Sequence, residues 1–179
     1  LTGSTGDGYK IARALGHTVT EIKPSLVALN AHEGFCERLA GLSLKNVAIS
    51  VFEEGRKKPV FSELGEMLFT HFGISGPLVL SASAHMRYIG KKQYTAAIDL
   101  KPGLTPEQLD KRILRDFDEE KNRDFINSLN KLPPKSSIPI VVRLSCIEPD
   151  RKVNSISREH RAALCRVLKE FTLHITGTR

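Results

Sequence analysis

Apolar and polar positions alternate most clearly in the middle of the first half of the chain. Val47, Ile49 and Val51 alternate with Ala48 and Ser50, the period of two expected of a strand buried on one face. The run Glu53-Glu54-Gly55-Arg56-Lys57-Lys58 breaks that pattern as a polar hairpin loop. Pro59 then begins a return strand through Ser62, which Met67, Leu68 and Phe69 carry onward. Gly65 lies inside this second arm, where a glycine points to a bulge or to a close backbone approach. Residues 94–100 read as one more strand. Ahead of this block, residues 17–22 and 25–29 read as two extended pieces parted by Pro24, and one helical turn is expected from Phe35 to Leu39. The small apolar run 78–86 reads as a buried helix capped by Ser75.

At Lys101-Pro102-Gly103 the texture becomes helical. Thr105-Pro106-Glu107-Gln108 is a capping box with proline at the first helical position, and Leu109, Ile113 and Phe117 follow at helical spacing. Phe125, Ile126, Leu129 and Leu132 predict a second amphipathic helix, ended by Pro133-Pro134. Residues 138–147 are ambiguous between helix and strand, and their helical neighbours favour helix. Ser157 is expected to cap a last helix with Leu164, Val167, Leu168 and Phe171 on one stripe. Residues 172–176 close the chain as an extended piece. At the other end, Gly3-Ser4-Thr5-Gly6-Asp7-Gly8 is a glycine-rich turn feeding a short helix, which Gly16 stops. The fold class is therefore α+β: a β-rich part, a helical part, and a strand that returns.

Composition narrows the functional classes. The 179 residues are 40% apolar and 26% charged, the balance of an ordinary globular protein. No run of about 20 apolar residues that would span a membrane is present. Cys36, Cys146 and Cys165 are far apart and lack metal-ligand spacing, so reduced thiols in a cytoplasmic setting and no metal site are expected. The net charge of +7 raises nucleic-acid binding. However, the basic runs Arg56-Lys57-Lys58, Lys91-Lys92 and Arg151-Lys152 are scattered beside turn formers, and aromatics make up only 6%. They read as solvated surface, and nucleic acid is not an expected partner.

Two segments are candidates for chemistry. The glycine-rich turn lets a backbone approach a ligand and opens a helix whose free N–H groups suit a phosphate. By pattern alone the favoured reading is an ordinary tight turn in which Thr5 or Asp7 caps the helix. No Walker A loop and no Gly-x-Gly-x-x-Gly after a strand appears. The second segment, Gly65-Glu66-Met67-Leu68-Phe69-Thr70-His71-Phe72-Gly73-Ile74-Ser75-Gly76-Pro77, runs a strand into a turn and a helix start, placing His71 and Ser75 at a junction where reactive groups often sit. A lone histidine is more often structural than catalytic, and no acidic partner at fixed spacing marks a triad.

Together with Thr2-Gly3-Ser4-Thr5-Gly6-Asp7-Gly8-Tyr9, Leu42-Ser43-Leu44-Lys45-Asn46-Val47 and Thr176-Gly177-Thr178-Arg179, that segment resembles the middle of BaiN/YhiN-type flavoproteins. These are NAD(P)/FAD-dependent oxidoreductases, some of them aminoacetone-oxidase-like. The resemblance implies an insertion into a Rossmann-type FAD-binding domain, itself absent from the chain. Residues 1–17 would be the edge of that domain, 18–100 a β-rich barrel-like subdomain, 101–171 a helical subdomain, and 172–179 a strand returning toward the FAD-binding domain. It further implies FAD as cofactor of the intact protein, NAD(P)H as candidate co-substrate, and Asp7, with Gly6 and Thr5, as cofactor contacts. His71 and Ser75 become catalytic candidates on the substrate side of the flavin, and Arg179 an anion contact. The expected partners are the remainder of the FAD-binding domain and a small-molecule substrate. The chain by itself is expected to be an inactive middle piece. The alternative is a stand-alone basic binding or oligomerisation module without redox activity.

Overall fold

Six strands carry the β-rich part: β1 (Leu29–Ala31), β2 (Ser43–Glu53), β3 (Phe61–Thr70), β4 (Gly73–Ser75), β5 (Tyr94–Asp99) and β6 (Phe171–Thr178). The computed structural model describes residues 5–179, so Thr2, Gly3 and Ser4 of the glycine-rich motif lie outside the described residues. β2 and β3 form the long central hairpin, with Val47, Ile49 and Val51 buried as their period requires. Every neighbouring pair in the order β1-β4-β3-β2-β5-β6 is antiparallel, and β6 pairs back with β1 to close a barrel. Closure pairs the strands on both sides and leaves no open sheet edge.

The helices are α1 (Asp7–Ala14), α2 (Phe35–Arg38), α3 (Pro77–His85), α4 (Pro106–Glu119), α5 (Phe125–Ser128), α6 (Ile138–Ser145) and α7 (Arg158–Lys169). From α4 to α7 they form one helical part inserted between β5 and β6, whose residues Ile98 and Phe171 are register partners. The expected capping box of Thr105 with Gln108 is present, and Ser157 caps α7 as expected, with His160 completing a second box that the sequence pattern did not announce. Lys169 ties the two parts together: its ammonium meets Asp99 at 2.5 Å and donates to the carbonyls of Leu104 at 2.7 Å and Lys101 at 3.2 Å. The barrel interior and the helix faces form one continuous apolar core. Within it Phe171 packs edge-on against Phe35 and Phe69, at 5.4 and 6.2 Å between ring centroids.

Several local expectations change. Residues 17–28 form no strand, because both sides of β1 are already taken by β4 and β6. Ser75 does not cap α3. It is the last residue of β4, and Gly76, at φ 96°, takes the cap position ahead of Pro77. The bulge lies on β2, where the register shifts between Leu44 and Val47 and Asn46 adopts φ 53°. Gly65, across from it, instead makes room for Leu78, whose side chain would be 3.2 Å from an added Cβ. The helix expected through Leu132 stops after Ser128 and continues as a 3-10 turn, Leu129–Lys131. Ser128 and Asn130 bond back to the carbonyls of Phe125 and Asn127, both at 2.7 Å, a local competition with helical pairing. No helix among the described residues is long and apolar enough to cross a membrane.

Phe171→Ala is expected to destabilise the protein by about 3–5 kcal/mol, since it empties the junction of three rings. A denaturant titration measures it.

Candidate functional site

One end of the barrel brings together His71 and Arg179, two of the residues that the sequence singles out. β3 ends at Thr70, His71-Phe72 makes the turn, and Gly73 starts β4. The Phe72 carbonyl accepts a bond from Ala31 N at 3.0 Å, which fixes the turn against β1. Gly73 is required there: an added Cβ would press on the Leu29 carbonyl and lie 2.7 Å from Ala31 N. The Phe72 ring meets the His71 ring edge-on at 5.0 Å and carries the Arg179 guanidinium at 5.1 Å. Arg179 is held in place by its backbone N–H, which donates to the Ala28 carbonyl at 2.9 Å. The fold thus brings His71 and Arg179, 108 residues apart by their numbers, against one aromatic ring. Ser75 lies two residues further along β4, opposite Leu68.

The turn at Thr5, Gly6 and Asp7 is separate in its bonding. Asp7 accepts from Lys10 at 2.7 Å and from the Thr5 hydroxyl, and these bonds hold its carboxyl below the ordinary carboxylate range. Gly6 supplies the left-handed backbone, φ 75°, that starts α1. No hydrogen bond among the described residues joins this turn to His71 or Arg179. None of the residues of α1 is buried, and Tyr9, Ile11 and Leu15 are exposed.

Three polar features escape a reading of the sequence. Asn30 Nδ2 donates to the Thr178 carbonyl at 3.2 Å, while its Oδ1, like Thr70 Oγ1, is buried without a partner. The one signal for Asn30 is a polar residue inside the apolar run 27–31. Glu33 accepts from His174 Nδ1 at 2.6 Å and from the His174 backbone N–H. The third is Glu53, only 3% exposed at the far end of β2. It accepts from Lys92 at 2.6 Å, from the Tyr94 hydroxyl at 2.9 Å, and pairs with Arg56 at 3.1 Å. The Lys92 bond, with help from Tyr94 and Arg56, holds the Glu53 carboxyl below its ordinary value of 4.5. Burial raises the Cys36 and Cys165 thiols to about 11, so neither is a ready nucleophile;. Among the described residues no group of three or more His, Cys, Asp or Glu side chains could hold a metal ion.

Residues 23–179 match the family described as HI0933-like protein barrel and H2TH domain. The chain belongs to that family. The match covers the barrel and the helical part, and the same domain is found in BaiN/YhiN-type flavoproteins, so the resemblance read from the motifs holds. The chain is 28% identical over 179 residues to a 3-dehydro-bile acid delta(4,6)-reductase of Clostridium scindens, covering 98% of the chain and 43% of that protein. It is 27% identical over 176 residues to a ribosomal RNA dihydrouridine synthase of Escherichia coli, covering 98% and 41%. The chain therefore spans about two fifths of the length of these relatives.

Two variants test this geometry. Gly73→Ala should cost about 1–3 kcal/mol or more, because backbone atoms cannot yield to the new Cβ, and thermal melting reads it. Glu53→Gln should lower the melting temperature at pH 7. A carboxyl with a lowered folded-state pKa contributes stability above its unfolded value and loses it as pH falls through the folded value. The gap between the two proteins should therefore close as the pH drops below 4.5; a gap constant down to pH 3 would show that the ion pairs do not carry it.

Proposed function

We propose that this chain is the barrel-and-helix region of an FAD-dependent reductase of the cytoplasm, covering the flavin and shaping the pocket in which its substrate lies. The observation that carries this is the family match across residues 23–179, supported by a relative named as a reductase. Two-electron reduction is the reading that unites the two relatives. A 3-dehydro, delta(4,6) bile acid and a uridine each present a carbon–carbon double bond conjugated to a carbonyl, and each name describes its saturation. When bound, a reduced flavin supplies the hydride for such a reaction, and NAD(P)H is the candidate source of electrons.

The chain's own residues fit contact with a flavin edge and its substrate. They do not fit the holding of a whole dinucleotide, for which the sequence has no Gly-x-Gly-x-x-Gly loop;. His71, exposed on its turn, is the candidate donor of the proton that the α-carbon gains when hydride reaches the β-carbon;. Arg179, braced on Phe72, is a cation available to an anionic substrate, and both relatives are named for anionic ones, a carboxylic acid and an RNA. Ser75, the last residue of β4, is the second candidate on the substrate side of the flavin. Asp7, Gly6 and Thr5 belong to the flavin edge, and the exposed Ile11 of α1 with Leu15 just after it offers an apolar patch to the remainder of the FAD-binding domain. The barrel and helices alone are inactive in this reading.

A protein of the relatives' length that contains this chain should purify yellow with one flavin per chain. A correctly folded, colourless protein would overturn the assignment. In the yellow protein His71→Ala should lower kcat by about 10²–10⁴-fold without changing flavin content, whereas Asp7→Ala should lower flavin content.

A further inference from the structure

Basic runs that are far apart in the sequence become one surface in the fold. β2 and β5 pair with Glu53 opposite Tyr94, so the hairpin that follows β2 lies beside the loop that precedes β5. The hairpin brings Arg56, Lys57 and Lys58, and the loop brings Arg87, Lys91 and Lys92. Glu53 is the tie: it holds Arg56 from the hairpin and Lys92 from the loop, and Tyr94 OH completes its bonding. Two more bonds fasten the loops, from Glu54 N to the Gln93 carbonyl at 2.9 Å and from Gln93 N to the Glu54 carboxylate at 3.3 Å. Lys23 joins from a third segment by donating to the Arg87 carbonyl at 3.2 Å. Tyr88, 43% exposed, gathers two of the cations, with Lys23 and Lys92 ammoniums at 5.5 and 5.3 Å from its ring centre;.

Glu53 neutralises part of this charge, but Lys57, Lys58, Arg87 and Lys91 are exposed and form no ion pair among the described residues. Beside them opens a cavity of about 530 Å³, whose lining includes Lys91, Lys92, Gln93, His32, His174 and the Glu54 carboxylate, which is engaged by Gln93 N. Its lining is rich in hydrogen-bonding groups. Glu33 takes His174 Nδ1, which leaves Nε2 for another partner. Open loops bearing several cations suit a polymer of spaced phosphates, and a polar cavity next to them suits a heterocyclic base turned out of the strand.

We propose that this end of the barrel binds single-stranded RNA, with phosphates on Lys57, Lys58, Arg87 and Lys91 and one base in the cavity at Gln93 and His174. The sequence expectation was of solvated surface, because the two runs are more than thirty residues apart and meet only when β2 pairs with β5. The binding reading is independent of the flavin reading, since the chain itself carries every residue named.

The test is fluorescence anisotropy of the 179-residue chain with a labelled oligouridine of about 20 nucleotides. Four phosphate contacts on a single strand predict a slope of log affinity against log salt near −3, or a loss of roughly 50-fold between about 50 and 200 mM salt. The triple variant Lys57→Glu, Lys58→Glu, Lys91→Glu should bind at least ~10-fold more weakly. Lys111→Glu, Lys121→Glu, Lys135→Glu, with the same change in net charge in the helical part, should bind within about two-fold of the parent. An abasic oligomer of equal length should bind at least ~3-fold more weakly, and Gln93→Ala should erase that difference. Absent or salt-independent binding overturns the proposal, as does equal loss in the two triple variants. Equal affinity for the abasic strand, or tighter binding to phosphatidylserine vesicles with the same dependence on the three lysines, overturns it too.

Discussion

Everything in this molecule depends on β6 pairing with two strands at once. β5 offers one open edge and β1 the other, and only Phe171–Thr178 can satisfy both. Without it, the buried alternation of β2 and β5 would sit in an open sheet with unpaired backbone groups at its rims. The price is sequence distance, because β6 joins β1 at Leu29 and Thr178. Chain-length separation of that kind carries an entropic cost and slows closure. Part of that distance is taken up by the helical part, whose two ends lie side by side at Ile98 and Phe171.

Closure also determines which residues can act together. Arg179 reaches Phe72 because β6 ends beside β1, and His71 reaches the same ring because β3 turns into β4 there. At the opposite end of β2, Glu53 does for charge what Phe72 does for the turn: one group, held by the sheet register, gathers side chains from separate segments. The chemistry of both ends therefore follows from register more than from local sequence. A slip of one residue between β2 and β5 would move Glu53 away from Tyr94 and place every alternate side chain on the wrong face.

How much was legible follows from how local each feature is. Val47, Ile49 and Val51 announced β2 because a period of two over neighbouring residues is a local signal. The capping box at Thr105 was legible for the same reason, being a four-residue pattern, and Ser157 was legible as a cap, though not the box it forms with His160. β1 and β4, three residues each, are too short to show any period, and they exist because neighbours on both sides complete them. Ser75 looked like a cap because serine often is one, yet Gly76 can adopt a positive φ that serine resists, and the cap moved one residue. His71 and Arg179 were each visible as candidates, but nothing in the sequence placed them on one ring. Asn30 and the basic surface at Lys57 and Lys91 were the least legible, since both are products of strand pairing.

Because Ile98 and Phe171 face each other across β5 and β6, the helical part enters and leaves the barrel through a doorway about one strand spacing wide, roughly 5 Å. A region attached in that way is a module in the architectural sense. It can grow, shrink or be exchanged with no change in the register of any strand, provided that Lys169 keeps its grip on Asp99 and the two carbonyls beyond it.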